Sequence, residues 1–118
     1  MQPGPGPLPP VLNVFFLTGR VLSRQRLKIT GKGAYLVEFE MAAGRPAGPD
    51  GGPAPPAPMD VFDIEIWGDA AREMDRSLQA GSQVYVEGRL VSREFEDRGG
   101  IRHRRTVLKS SRVEILGG

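Results

Sequence analysis

The sequence predicts an all-β fold, a five-stranded barrel with one short helix between the third and fourth strands. Three observations point there. Apolar and polar residues alternate at the two-residue period of a half-buried strand in the stretches 35–41, 61–67 and 84–90. Only the stretch after Asp69 has helical spacing, with Ala70, Met74 and Leu78 at i, i+4 and i+8. Gly and Pro, 16 and 11 of the 118 residues, punctuate the intervals and place part of the chain outside a core that has room for a single domain.

Taken in order, Met1 to Pro10 is dominated by Pro and Gly and reads as a disordered N-terminal segment, so the domain is expected over residues 11–116, with 117–118 as its end. Val14 to Leu22 is an apolar, partly β-branched run that continues toward Ile29 as a long first strand, with a bulge or sharp bend expected at Gly19. In the second strand Tyr35, Val37, Phe39 and Met41 share the inner face, and Leu36, Glu38 and Glu40 lie outside. A Gly/Pro-rich loop, 43–58, follows within the domain and is expected to be flexible. The third strand buries Phe62, Ile64 and Ile66 and turns Val61, Asp63, Glu65 and Trp67 outward.

Asp69 is the expected helix N-cap, and Gly81 is placed to end the helix. Val84 to Leu90 opens a fourth strand that continues to Phe95; Gly99-Gly100 marks a hairpin turn, and the fifth strand runs from Arg102 to Leu116. This β-β-β-α-β-β order is that of the oligonucleotide-binding (OB) fold.

Composition removes several functions. The chain has no cysteine, which excludes disulfides, thiolate zinc sites and a cysteine nucleophile, and suits a reducing cytoplasm. Neither a signal peptide nor an apolar run long enough to span a membrane is visible, so a soluble cytoplasmic protein is expected. His103 is the only histidine and has no clearly paired carboxylate, and no paired acids, nucleophile with a base or phosphate-cradling Gly motif is found. No enzyme, metal or cofactor is therefore expected. The net charge of +2 conceals segregation. Arg20, Arg24, Arg26, Lys28 and Lys32 have no acid among them, and Arg89, Arg93, Arg98, Arg102, Arg104, Arg105, Lys109 and Arg112 face only Glu94, Glu96 and Asp97. Such stretches suit a polyanion bound by neutralising its phosphates.

The run from Asn13 to Val21 resembles the opening of bacterial single-stranded DNA-binding proteins, where an Asn, a hydrophobic strand and a Gly begin the barrel. Trp67-Gly68-Asp69, followed by Gly81-Ser82-Gln83-Val84-Tyr85-Val86-Glu87-Gly88-Arg89-Leu90, resembles the family's aromatic-Gly, helix, Gly-Ser-x-Val-x-Val-x-Gly-x-Leu block. The resemblance covers about residues 13 to 116. It implies a barrel that dimerises through its first strands, often forms tetramers, and binds single strands by base stacking and phosphate neutralisation.

Carried over residue by residue, the resemblance makes Trp67 and Phe95 stacking candidates and Arg93 a basic site position. Lys28 matches another basic position, which Arg20, Arg24 and Lys32 extend as phosphate contacts; Arg89 completes the basic set. Arg102, His103, Arg104 and Arg105 are expected beside the Phe95 hairpin. Departures are equally specific. The 43–58 loop has no aromatic, Val61 stands where an outer aromatic is expected, and Asp63 replaces a basic residue. Glu38, Glu40, Asp63 and Glu65 then crowd the customary nucleic-acid face with carboxylates that would repel phosphate and displace the path toward the first strand and the hairpin. The chain stops at Leu116-Gly117-Gly118, so the acidic tail that recruits replication enzymes in many family members is expected to be missing.

The leading expectation is thus single-stranded DNA binding by a homodimer or homotetramer in replication, recombination or repair. RNA is an alternative ligand. A protein-interaction or primosome-type assembly role for the acidic face is the alternative function.

Overall fold

A computed structural model, described over residues 4, 6–44 and 59–117, turns the alternating runs into six strands and one helix. These are β1 (Phe15–Arg24), β2 (Lys28–Ile29), β3 (Tyr35–Ala43), β4 (Asp60–Trp67), α1 (Asp69–Ser77), β5 (Gln83–Glu96) and β6 (Arg102–Gly117). The expected single first strand toward Ile29 is two strands. The Thr30–Ala34 turn, closed by backbone bonds of 2.8 Å between Thr30 and Ala34 and between Gly33 and Thr30, folds Lys28 and Ile29 back onto Leu36 and Tyr35. Most of the 43–58 loop, residues 45–58, and residues 1–3 and 5 of the N-terminal segment lie outside the described residues.

The five long strands pair in a closed ring. β1 pairs with β5, β5 with β6, β6 with β4, β4 with β3, and β3 again with β1. All pairings are antiparallel except the short β4–β6 contact at Ile64–Leu108 and Glu65–Lys109. β1 changes partner along its length: residues Phe15 to Arg20 pair with β5, and Arg20 to Arg24 with β3. Gly19 sits at that change. The bulge expected there falls instead between Val21 and Ser23, and Gly19 serves a close crossing, because a Cβ at this position would collide with the carbonyl of Ala42 and lie 2.8 Å from Met41 Cε.

Inside the ring lie Val21, Val37, Phe39, Met41, Ile64, Ile66, Val84, Val86 and Leu108, all buried, with Tyr35 and Phe62 packed against them. The period-two reading of the second and third expected strands therefore gives the correct inner faces. Among the described residues no helix is long and apolar enough to cross a membrane.

α1 closes one end of the ring, one residue out of step with expectation. Gly68, not Asp69, is the N-cap; its φ of 74° is a glycine conformation, and its N–H donates to the Tyr35 carbonyl at 2.9 Å. The shift rotates the buried stripe to Ala71, Met74 and Leu78, leaving Ala70 exposed. At the other end the helix finishes at Ser77. Arg24 of β1 reaches across, donating Nη1 to the carbonyls of Asp75 and Leu78 at 3.0 Å each and pairing with the Asp75 carboxylate. Carbonyls at a helix C-terminus lack intrahelical donors and attract a cation. Arg24, expected as a phosphate contact, is thereby committed to the fold. Arg24→Met is expected to lower the unfolding free energy by roughly 2 kcal/mol through loss of these charge-assisted bonds. A urea midpoint equal to that of the parent chain would contradict this role.

Candidate nucleic-acid interface

The long β5–β6 hairpin positions most of the candidate residues. Its ladder runs without a register shift from Arg89–Lys109 to Glu96–Arg102, so side chains alternate strictly between two faces. On one face Arg89, Val91, Arg93 and Phe95 stand opposite Lys109, Val107, Arg105 and His103. The other face pairs Glu94 with Arg104 and Glu96 with Arg102. β4 borders the first face, bringing Trp67, Glu65 and Asp63 alongside it: Lys109 Nζ lies 5.6 Å from the centre of the Trp67 ring, and Arg93 pairs with Glu65 at 2.7 Å.

Phe95 occupies the outer end of this face and is 47% exposed. Its ring stacks on His103, with centroids 5.2 Å apart and planes 21° from parallel, and the Arg105 guanidinium lies 6.0 Å from its centroid. His103 is not without a carboxylate, as the sequence suggested: its Nε2 lies 2.7 Å from Asp97 Oδ2. Asp97 organises the turn, since its Oδ1 accepts the N–H groups of Gly99 and Ile101 at 2.9 Å each. The His103 contact and these backbone donors hold the Asp97 carboxyl below its ordinary value. An open depression of about 350 Å³ lies between Glu65, Arg93, Glu94, Phe95 and Arg105.

At the inner end, Trp67 is half-buried and donates Nε1–H to Glu65 at 2.9 Å. Glu65, expected on an exposed acidic face, is only 5% exposed. It also accepts Nε and Nη2 of Arg93 at 3.2 and 2.7 Å, a bidentate pair. Burial by itself would raise the Glu65 carboxyl, but the Arg93 and Trp67 hydrogen bonds, with the charges of Arg93 and Lys109, hold it below the ordinary value of 4.5. A carboxyl lowered on folding contributes stability that is complete above its unfolded pKa and is lost as pH falls through the folded one. The melting temperature is therefore expected to fall below about pH 4.5, and Glu65→Gln should flatten that acid limb. Equal acid limbs for the two proteins would contradict it.

The other acids are also engaged. Glu38 pairs with Lys28 and Arg105, Asp63 with Arg105, and Glu40 accepts the Ser23 hydroxyl. The expected bare acidic face is thus an interleaved one, because the twist of the ring brings the basic residues of β2, β5 and β6 over the carboxylates of β3 and β4.

The structure brings Trp67, Arg89, Arg93, Phe95, His103 and Arg105 onto one continuous face. It does not bring Arg102 and Arg104 there: they lie on the opposite face of the hairpin, against Glu94 and Glu96 at 3.4 to 4.0 Å. Arg20 and Lys32 are exposed on β1 and in the turn after β2, and neither makes an ion pair among the described residues. Sequence reasoning placed Lys109 in a basic stretch but not in the site. Its parity with Arg105 four residues earlier carried that signal.

The family model of the single-strand binding protein family matches residues 12–116. A single-stranded DNA-binding protein of Treponema pallidum is 31% identical over 108 residues, covering 90% of this chain and 58% of the relative. Single-stranded DNA-binding protein 1 of Synechocystis is 27% identical over 107 residues, 90% of this chain and 84% of its own. Single-stranded DNA-binding protein A of Bacillus subtilis is 28% identical over 106 residues. This chain spans 90% of its own length but 60% of that relative. The matched residues take in every strand of the closed ring except the last residue of β6, together with α1 and the Phe95 hairpin, and the chain is accordingly a member of the single-strand binding protein family, with its OB fold.

Proposed function

We propose that this chain binds single-stranded DNA without catalysis, stacking bases on Phe95 with His103 and on Trp67 while Arg89, Lys109, Arg93 and Arg105 neutralise the intervening phosphates. One observation carries the reading: a single face of the β5–β6 hairpin and its β4 border has an aromatic group at each end and cations between. Unpaired bases present π faces that any such ring can accept, so the mode is tolerant of sequence. The setting is replication, recombination or repair in the cytoplasm.

Self-association fits the same reading. Among the described residues, β1 from Phe15 to Gly19 is paired with β5 on one edge only, and Val14 and Phe16 beside that edge are 53% and 62% exposed. An unpaired strand edge with apolar flanks is a template for a second copy, giving a homodimer or a dimer of dimers. Protein docking through the acids of β3 and β4 has less support, because Glu38, Asp63 and Glu65 are already matched by cations of the same chain.

Trp67 is the only tryptophan, so its fluorescence reports the site directly. Titration with oligo-dT at two salt concentrations is expected to quench it, with affinity falling steeply as salt rises. No binding at micromolar protein in low salt would reject the proposal, and competition between DNA and RNA oligomers decides which strand is preferred.

A further inference from the structure

Glu38 stands on the outer face of β3, directly opposite Glu65 of β4. Two carboxylates in register across a ladder repel one another. Each is held by cations supplied from other strands. Arg93 takes Glu65, while Glu38 binds Lys28 of β2 through Oε1 at 2.5 Å and Arg105 of β6 through Oε2 at 3.9 Å. The Glu38 side chain is 19% exposed, whereas those of Lys28 and Arg105 are 52% and 49% exposed. Both cations are therefore within reach of a phosphate from solution, yet both are paired with the same carboxylate, which shares Arg105 with Asp63 at 3.9 Å.

We infer that Glu38 is an internal competitor for phosphate, which sets the strength and the salt response of single-strand binding by occupying Lys28 and Arg105 in the free protein. The inference rests on the single-strand reading above. When a protein cation neutralises a nucleic-acid phosphate, a condensed counterion is released, and that release makes affinity rise as salt falls. A phosphate that takes Arg105 or Lys28 uncovers Glu38, and the freed carboxylate draws a small cation back from solution. Release and uptake offset each other. These two basic residues then contribute less to affinity, and less to the salt slope, than their charge suggests.

Glu38→Gln separates the possibilities, because it keeps the shape of the side chain and relieves the repulsion from Glu65. Relative to the parent chain it is expected to bind oligo-dT roughly three- to tenfold more tightly at low salt. The slope of log affinity against log salt should steepen by roughly 0.7 for each further phosphate that the protein neutralises. Glu73→Gln on α1 makes the same change in net charge away from this face and should tighten binding less than about twofold. In an Arg105→Gln background part of the tightening from Glu38→Gln should disappear, and in a Lys28→Gln, Arg105→Gln background most of it.

A Glu38→Gln protein that melts normally but binds no more tightly than Glu73→Gln would overturn the inference while leaving single-strand binding intact. Should Glu38→Gln fail to fold, Glu38→Asp, whose shorter side chain cannot span both cations, must still bind more tightly than the parent chain, and unchanged binding would overturn the inference. If the parent chain itself binds no oligo-dT at low salt, the single-strand reading fails first and this inference with it.

Discussion

Phe95→Ala is expected to weaken oligo-dT binding by roughly ten- to a hundredfold while leaving the melting temperature nearly unchanged, since a base stacked on an aromatic ring is worth about 1 to 3 kcal/mol. The two effects separate because the ring is 47% exposed near the hairpin tip and belongs to no part of the buried cluster. Loss of Phe95 also removes the support against which His103 lies flat, so the truncation costs the site both of its stacked rings. Phe95→Trp should retain binding, as it keeps a planar face in the same place. The face assignment gives a sharper comparison: Arg105→Ala should weaken binding several-fold, whereas Arg104→Ala, on the far side of the hairpin with Glu94, should change it less than about twofold. A less than twofold loss for Phe95→Ala would mean that bases do not stack at the tip.

Gly88→Ala is expected to have the largest effect on the fold. A Cβ at Gly88 would run into the carbonyl oxygen of Lys109 and lie 2.8 Å from Ser110 Cα and 2.9 Å from Lys109 carbonyl carbon. All three are backbone atoms of β6, so no side chain can rotate away. The bulge between Glu87 and Gly88 brings the two strands this close at the base of the hairpin. Forcing them apart should cost roughly 3 kcal/mol, the upper end for overpacking, and lower the melting temperature by on the order of 15 °C. Gly99→Ala at the hairpin tip offers the contrast. Its nearest new neighbour would be Asp97 Oδ1 at 3.5 Å, an ordinary contact, and little loss is expected. Equal melting temperatures for the two variants would show that β6 can yield at Lys109.

How far the sequence was legible depends on the range of the interaction. Local periodicity placed Val37, Phe39, Met41, Ile64 and Ile66 inside, because the two-residue pleat needs no knowledge of the partner strand. The Gly81–Leu90 block, by its resemblance to the family's Gly-Ser-x-Val-x-Val-x-Gly-x-Leu motif, marked the strand that is β5. Partner-dependent features were not visible. Arg24 binds a helix end some fifty residues later in the chain, a juxtaposition made only when β1 meets α1. Glu65 looked exposed by parity, yet the outer face at that point is covered by Arg93 from β5, two strands away around the ring.

The split among Arg102, His103, Arg104 and Arg105 lay in between. Alternation alone sends Arg102 and Arg104 one way and His103 and Arg105 the other. Which pair joins Phe95 depends on the hairpin register, fixed by the Asp97–Ile101 turn with its backbone bonds of 3.0 Å. Gly19 and Gly88 are alike in this respect: a glycine in a strand signals either a bulge or a close crossing, and only the neighbouring backbone distinguishes them.

The change of partner along β1 has a consequence for synthesis of the chain. Phe15 meets Gly88, so β1 leaves the ribosome well before β5 and waits for it before its N-terminal half can pair. β3 and β4 can form their hairpin meanwhile, but the Val14–Phe16 edge stays open for several seconds at roughly 5 to 20 residues per second. During that interval neighbouring nascent chains on one messenger present the same open edge to each other. The rate of translation from β1 to β5 therefore governs how long β1 remains available to strands other than its own.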